Sequence, residues 1–188
     1  MELPTDAERM LAKAIRQSDK AQEERYQKYL EERKEHPETE FYFSEEDVHY
    51  LYARSFAPMD TAWVKKPYVR NLLNLSINQI YAAPYMHQAE VALVMYRFGM
   101  PEAAKDIVAF LRNNAFADEE LGMYWGEKPG SRQKDWRIRA YYPWYEAPVE
   151  RQAMLIEAFA EISPQEDELS AMTSRSEERR VGQECRSR

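Results

Sequence analysis

Residues 89–112 read AEVALVMYRFGMPEAAKDIVAFLR, and the contrast between their two halves decides the fold class. Ala89–Phe98 is apolar almost all round, and a helix that is hydrophobic on every side is buried on every side. After Gly99 and Pro101 the pattern changes. Ala104, Ile107, Val108 and Leu111 share one helical face, while Glu102, Lys105, Asp106 and Arg112 share the other. Glycine ends one helix and proline opens the next. The stretch therefore predicts a tight antiparallel hairpin with an inner, buried helix and an outer, half-exposed one.

The flanking segments also read as helices. Thr5 and Glu8 have capping-box spacing at the head of a long charged stretch. Apolar residues recur there at Ala7, Met10, Leu11, Ala14, Ile15, Ala21, Tyr29 and Leu30, one narrow stripe on an otherwise solvated helix that His36-Pro37 ends. Ser44 followed by Glu45-Glu46-Asp47 starts a second helix, whose apolar face holds Val48, Leu51, Tyr52, Ser55 and Phe56. A third runs from Pro67 through Tyr68, Leu72, Leu75 and Ile80 to Ala83-Pro84. The last, Val149–Ile162, starts at Pro148 and aligns Leu155, Phe159 and Ile162.

Residues 118–146 interrupt this order with Gly122, Gly126 and Gly130 and with Trp125, Trp136 and Trp144. GMYW at 122–125 and YYPWY at 141–145 are aromatic, strand-like runs. They predict a two-stranded ribbon over about 119–146 with an insertion loop at its tip.

Composition bounds the function. Of 188 residues, 44% are hydrophobic and 31% charged, enough for a buried core and too apolar for a disordered chain. The net charge of −7 argues against a protein held on nucleic acid by phosphate neutralisation. No run approaches the roughly 18 apolar residues of a membrane span, and the charged first twenty residues carry no signal-peptide core.

Residues 175–188, RSEERRVGQECRSR, resemble a translated sequencing adaptor and depart from it only at Gln183. They are read as foreign to the fold and without structure of their own. Their five Arg and three Glu set aside, residues 1–174 carry 21 basic and 30 acidic side chains, a net charge of −9. The single cysteine, Cys185, goes with them, and neither a disulfide nor a Cys-based zinc site remains. On this reading the chain is a truncated piece of a longer one, and Met1 an internal start.

Residues that might carry chemistry are few. The histidines are His36, His49 and His87, with no HExxH spacing among them. Glu46-x-x-His49 is half of a di-iron carboxylate motif that needs a second such pair and two further Glu. That second pair is absent, so His49 is read as a partly exposed residue on an amphipathic helix, and His87 as a hydrogen-bonding residue near the start of a buried helix rather than a metal ligand. Neither Ser55 nor Ser76 lies beside a histidine in sequence, and no nucleophile elbow, P-loop or dinucleotide fingerprint occurs. Glu146, Glu150 and Glu157 read either as carboxylates of an aromatic cleft, the arrangement of glycan-active helical toroids, or as structural groups. In the structural reading, which is favoured, Glu150 supports a helix N-terminus, Glu157 pairs with an Arg or a backbone amide of the neighbouring ribbon, and Gln152 holds the ribbon backbone. Tyr124, Trp125, Tyr141, Tyr142, Trp144 and Tyr145 could stack a sugar or peptide, but are read first as a plug over the helix ends.

Four stretches resemble the bacterial alpha-2-macroglobulin family: LYARSF (51–56), MHQAEVALVMYRFGMPEAAKDIVAFLR (86–112), EELGMYW (119–125) and WYEAPVERQAMLIEAFAEI (144–162). The last two are the most specific. The likeness spans about two thirds of the chain, and is closest to large members from gut Bacteroidetes-type bacteria. It implies an all-α piece of the thioester-domain-like α/α toroid, made of antiparallel helix hairpins with one two-stranded ribbon. The parent would be a periplasmic or cell-envelope protein, lipid-anchored in some relatives, that traps or inhibits proteases. Its partners would be the remaining domains of that parent and the target proteases. Relatives with a thioester carry a C-x-E-Q motif; this chain has none, and no catalytic residue, metal or cofactor carries over. The positions that match are Gly122, Tyr124, Trp125, Trp144, Tyr145, Pro148, Glu150 and Gln152, read as an architectural ribbon–helix junction.

The expected organisation is a partial toroid over 1–164, a frayed acidic linker over 165–174 and the adaptor-like tail over 175–188. Half a toroid leaves inner helices uncovered, so exposed apolar surface is expected around Leu93–Phe98 or Leu72–Ile80, with aggregation of residues 1–174 expressed alone. Two alternatives stand beside this reading. One is a helical-repeat module, since Ala92–Leu111 resembles one tetratricopeptide unit, although no second copy follows at that period. The other is a glycan-active toroid enzyme.

Overall fold

The computed structural model of the protein describes residues 5–57, 61–118, 122–125 and 148–173. Trp144, Tyr145, Glu146, the aromatic run 141–145 and the tail 175–188 lie outside them. Among the described residues the fold is all-helical with one small antiparallel two-stranded sheet. The chain divides into two compact units, Met1–Leu75 and Ser76–Arg188. The boundary falls inside a helix, where composition and turn residues give no signal.

In the first unit α1 (Thr5–Glu35) is followed by α2 (Glu45–Ser55), the single turn α3 (Thr61–Val64) and the first part of α4 (Pro67–Gln79). α1 stops before Pro37, which has no N–H to continue the ladder. The connection then folds back along α1. The Phe41 ring meets Tyr29 edge-on at 5.3 Å, and the Arg25 guanidinium covers its other side at 4.7 Å. At the start of α2, Ser44 is extended and its N–H donates to Asp47 Oδ2 at 3.0 Å, the backward half of a capping box. The apolar stripe of α1 is not its covered face in the first turns, where Met10 is 69% and Leu11 55% exposed.

The second unit continues with a 3-10 turn (Ile80–Ala82), α5 (Tyr85–Arg97), α6 (Pro101–Asn113), β1 (Phe116–Asp118), β2 (Gly122–Tyr124), α7 (Pro148–Ile162) and α8, residues 166–173. α5 packs against both α6 and α7, and α6 also touches α7. His87–Met95 is buried without a break, whereas α6 buries only Ala104, Ile107, Val108 and Leu111. The turn between them is a Schellman motif. Gly99 N–H donates to Tyr96 O at 3.1 Å and Met100 N–H to Met95 O at 2.8 Å, with Gly99 at φ +79° and Pro101 opening α6. A Cβ on Gly99 would meet nothing within 4 Å, so its conformation alone is at stake. Gly99→Ala is expected to cost about 1 kcal/mol, read as a small drop in melting temperature, with Gly99→Asn milder. A Gly99→Ala protein as stable as the parent would show that the left-handed turn carries no such cost.

Three expectations need correction. First, the strand paired with Gly122–Tyr124 is Phe116–Asp118, just upstream, with Phe116 opposite Tyr124 and Asp118 opposite Gly122. The partner expected at 141–145 lies outside the described residues. Second, the inner helix is not bare. Leu93, Val94 and Met95 are fully buried, as α6 and α7 cover α5, and Leu72 and Ile80 are at most 1% exposed. Third, 166–173 is a docked helix rather than part of a frayed linker, with Met172 wholly buried. Its anchors lie on distant elements, so its polar local sequence could not reveal them.

Candidate functional site: the ribbon–helix junction

The junction is built where β2 meets the ends of α6 and α7. Trp125 is 2% exposed, and its indole N–H donates to Leu111 O at 2.8 Å, a last-turn carbonyl of α6 that also accepts from Asn114 N–H. Its ring meets Phe159 of α7 edge-on at 5.4 Å, and Arg112 covers Phe159 at 5.3 Å. Tyr124 is buried, with its ring 5.6 Å from that of its cross-strand neighbour Phe116. Pro148 opens α7, and Glu150 stands exposed in its first turn, where the helix dipole favours a carboxylate. Gln152, one turn in, is buried and donates from Nε2 to Met123 O of β2 at 3.0 Å. Gly122 sits at φ +69° against the backbone of α8.

Of the sequence-selected residues, Gln152 is bonded to the carbonyl between Gly122 and Tyr124, Trp125 packs on α7 at Phe159, and Pro148 and Glu150 lie in the first turn of α7. Glu157 is elsewhere on α7, bound by Arg97 Nη2 at 2.7 Å. Arg97 also grips Glu161 side-on, with Nε at 2.9 Å and Nη2 at 2.6 Å, which ties the end of α5 to the end of α7. His87 and Glu90, one turn apart on α5, are both buried, with Nε2 and Oε2 4.0 Å apart. An imidazole and a carboxylate are ligands a metal can use; protonated, the same imidazole makes an ion pair. Glu46, the acid of the half di-iron motif, accepts from the Ser44 hydroxyl at 2.8 Å at the head of α2.

A polar network in the first unit escaped sequence reasoning. Tyr50 O–H donates to Asp19 Oδ1 at 2.7 Å, and Arg54 pairs with the same carboxylate at 3.3 Å. Tyr50 also shares a hydrogen bond with Tyr68, whose oxygen accepts the Trp63 indole N–H at 3.0 Å. Trp63, Tyr68 and Tyr50 thus lead in one polar chain to the Asp19 carboxylate. Arg54 covers the Trp63 ring at 4.4 Å, and Lys66 reaches Glu23 at 2.8 Å. One turn earlier on α2, the buried Asp47 accepts from Arg25 and from Gln22 at 3.3 Å. Asp19 and Glu23 are spaced i, i+4 on α1, as are Tyr50 and Arg54 on α2. That spacing was the available signal, hidden because charges on a long helix read as a solvated face.

Burial, with the Asp19 carboxylate behind it, holds the Tyr50 phenol well above its ordinary range, and burial also raises Tyr68. A raised folded-state value stabilises the fold fully below the unfolded tyrosine value, about 10, and that stabilisation is lost as pH climbs past it. The first unit is therefore expected to lose stability steeply above about pH 10. Tyr50→Phe should cost about 1 kcal/mol at neutral pH and flatten that alkaline limb, as measured by melting temperature against pH. Identical alkaline limbs in the two proteins would count against the network.

Two open grooves lie on α1, one of about 350 Å³ along Lys20–Glu31 and one of about 240 Å³ between α1 and residues 39–42. No helix among the described residues is long and apolar enough to cross a membrane. The chain matches no protein-family model, no curated protein and no solved structure.

Proposed function

We propose that this chain is a non-enzymatic scaffold and contact surface within a macroglobulin-like envelope protein that traps or inhibits proteases. In this reading α5, α6 and α7 are inner and outer helices of a partial α/α toroid, and the parent works in the periplasm or cell envelope. Its partners are the parent's other domains and the target proteases, with no thioester, metal or cofactor supplied by this piece. The observation that carries the reading is that the two most specific motifs of the resemblance meet. The amide of Gln152, from the helix start PVERQA, is bonded to the carbonyl of Met123, from GMYW. Residues matched as a pair in sequence are thus matched as a contact, which suits an architectural junction better than a cleft for substrate. The α5–α6 hairpin alone would also suit a helical-repeat module, but an aromatic ribbon clamped to α7 has no place in such an array.

The test is the coding sequence around this chain. β-sandwich macroglobulin modules and an export signal upstream, in the same frame, are the expected result. A free-standing reading frame of this size, with its own start and stop, would overturn it.

A further inference from the structure

The helix of residues 166–173 has a composition that gives it no reason to dock, EDELSAMT, yet it is held at four points. Glu168 accepts from Arg112 of α6 at 2.6 Å through Nε and 3.0 Å through Nη2, a side-on pair with low exposure on both partners. Met172 is wholly buried. Ala171 lays its carbonyl so close to Gly122 that a Cβ there would lie 2.1 Å from the oxygen. Gln152 Nε2 donates to Met172 O at 3.0 Å, the same nitrogen that donates at 3.0 Å to Met123 O.

The last point joins two elements that do not adjoin in sequence. A carboxamide nitrogen has two hydrogens, and here one goes to strand β2 and the other to α8. Both bonds are buried, so departure of α8 takes one acceptor from the amide and frees the side chain that holds Met123 O to turn toward water. Departure of α8 would also uncover the side of Gly122 that has no side chain of its own, opening the Met123 carbonyl to water.

We propose that residues 166–173 are an intrachain strap that closes the ribbon, and that release of the strap and loosening of the ribbon are one event coupled through Gln152. The Arg112–Glu168 pair and the Met172 side chain hold the strap down; the Gln152 amide transmits its state to β2. The opening is confined to the strap and the ribbon, with the packing of α5 against α6 and α7 left in place. Such an opening unit lies below global unfolding in free energy.

Hydrogen exchange on the full chain tests this, following peptides that cover 116–125, 166–173 and α5. Met172→Ala should speed exchange about tenfold or more in the strap and, with it, in the ribbon, leaving α5 unchanged. Glu168→Gln, a milder change of the same shape, should do so a few-fold. In a Gln152→Leu background, Met172→Ala should speed the strap alone, because the transmitting group is gone. A strap that opens faster while the ribbon keeps its parental rate overturns the proposal. So does an equal rise in α5 in both the Met172→Ala and Glu168→Gln proteins, because the strap would then be an inseparable part of the core.

Discussion

Trp125→Ala is expected to destabilise the second unit by about 3–5 kcal/mol, the range for truncating a large buried aromatic. For a unit of this size each 1 kcal/mol lowers the melting temperature by about 4–8 °C, so the variant should be largely unfolded at 37 °C or melt more than about 12 °C below the parent. Three losses combine. The indole fills a site 2% exposed, its edge contact with Phe159 ties β2 to α7, and its N–H caps the end of α6 at Leu111 O. Trp125→Phe separates them. It keeps most of the ring, and Leu111 O still accepts from Asn114 N–H, so a cost nearer 1–2 kcal/mol is expected, from a lost hydrogen bond and slight underpacking. Far-UV circular dichroism during urea titration measures both. A Trp125→Ala protein melting within a few degrees of the parent would remove the indole from the core.

Gly122→Ala should be far more damaging than Gly99→Ala, although each adds one methyl. It carries two penalties, a left-handed backbone at φ +69° and a Cβ 2.1 Å from the Ala171 carbonyl oxygen. The first costs about 1–2 kcal/mol. The second cannot be relieved by turning a side chain, because the obstacle is backbone, so α8 must move and its buried contacts loosen. Gly99→Ala isolates the first penalty, since Gly99 has φ +79° and open space around its Cβ position. Gly122→Ala is therefore expected to exceed Gly99→Ala by at least about 2 kcal/mol in urea denaturation, with exposure of residues 166–173 to protease. Equal losses at the two glycines would show that the approach of Ala171 to the ribbon contributes nothing.

Both predictions turn on residues whose importance was partly visible in sequence. GMYW stood out as an aromatic run after a glycine, and PVERQA as a helix start. The atoms that make them matter were not visible. Trp125 is bonded to a carbonyl fourteen residues back, Gln152 to carbonyls on either side of it in sequence, and Gly122 is constrained by a backbone some fifty residues on. The network of Asp19, Tyr50, Tyr68 and Trp63 was missed for a related reason. A charged residue on a helix looks the same in sequence whether it faces water or a phenol, and only the approach of α2 to α1 decides which.

What the sequence by itself determined is what depends on near neighbours. An apolar run without a polar face had to be an inner helix. Gly99 and Pro101 had to turn the chain within a few residues, and Pro37 had to end α1. Each follows from backbone hydrogen bonding or from one helix's periodicity, which reach no further than a turn or two along the chain. The tertiary structure alone decided which strand pairs with β2, that the chain divides inside α4, and that an acidic stretch ending in Met172 folds down as a strap. Those outcomes depend on which carbonyl, cation or apolar recess lies opposite, a matter of packing between segments distant in the chain.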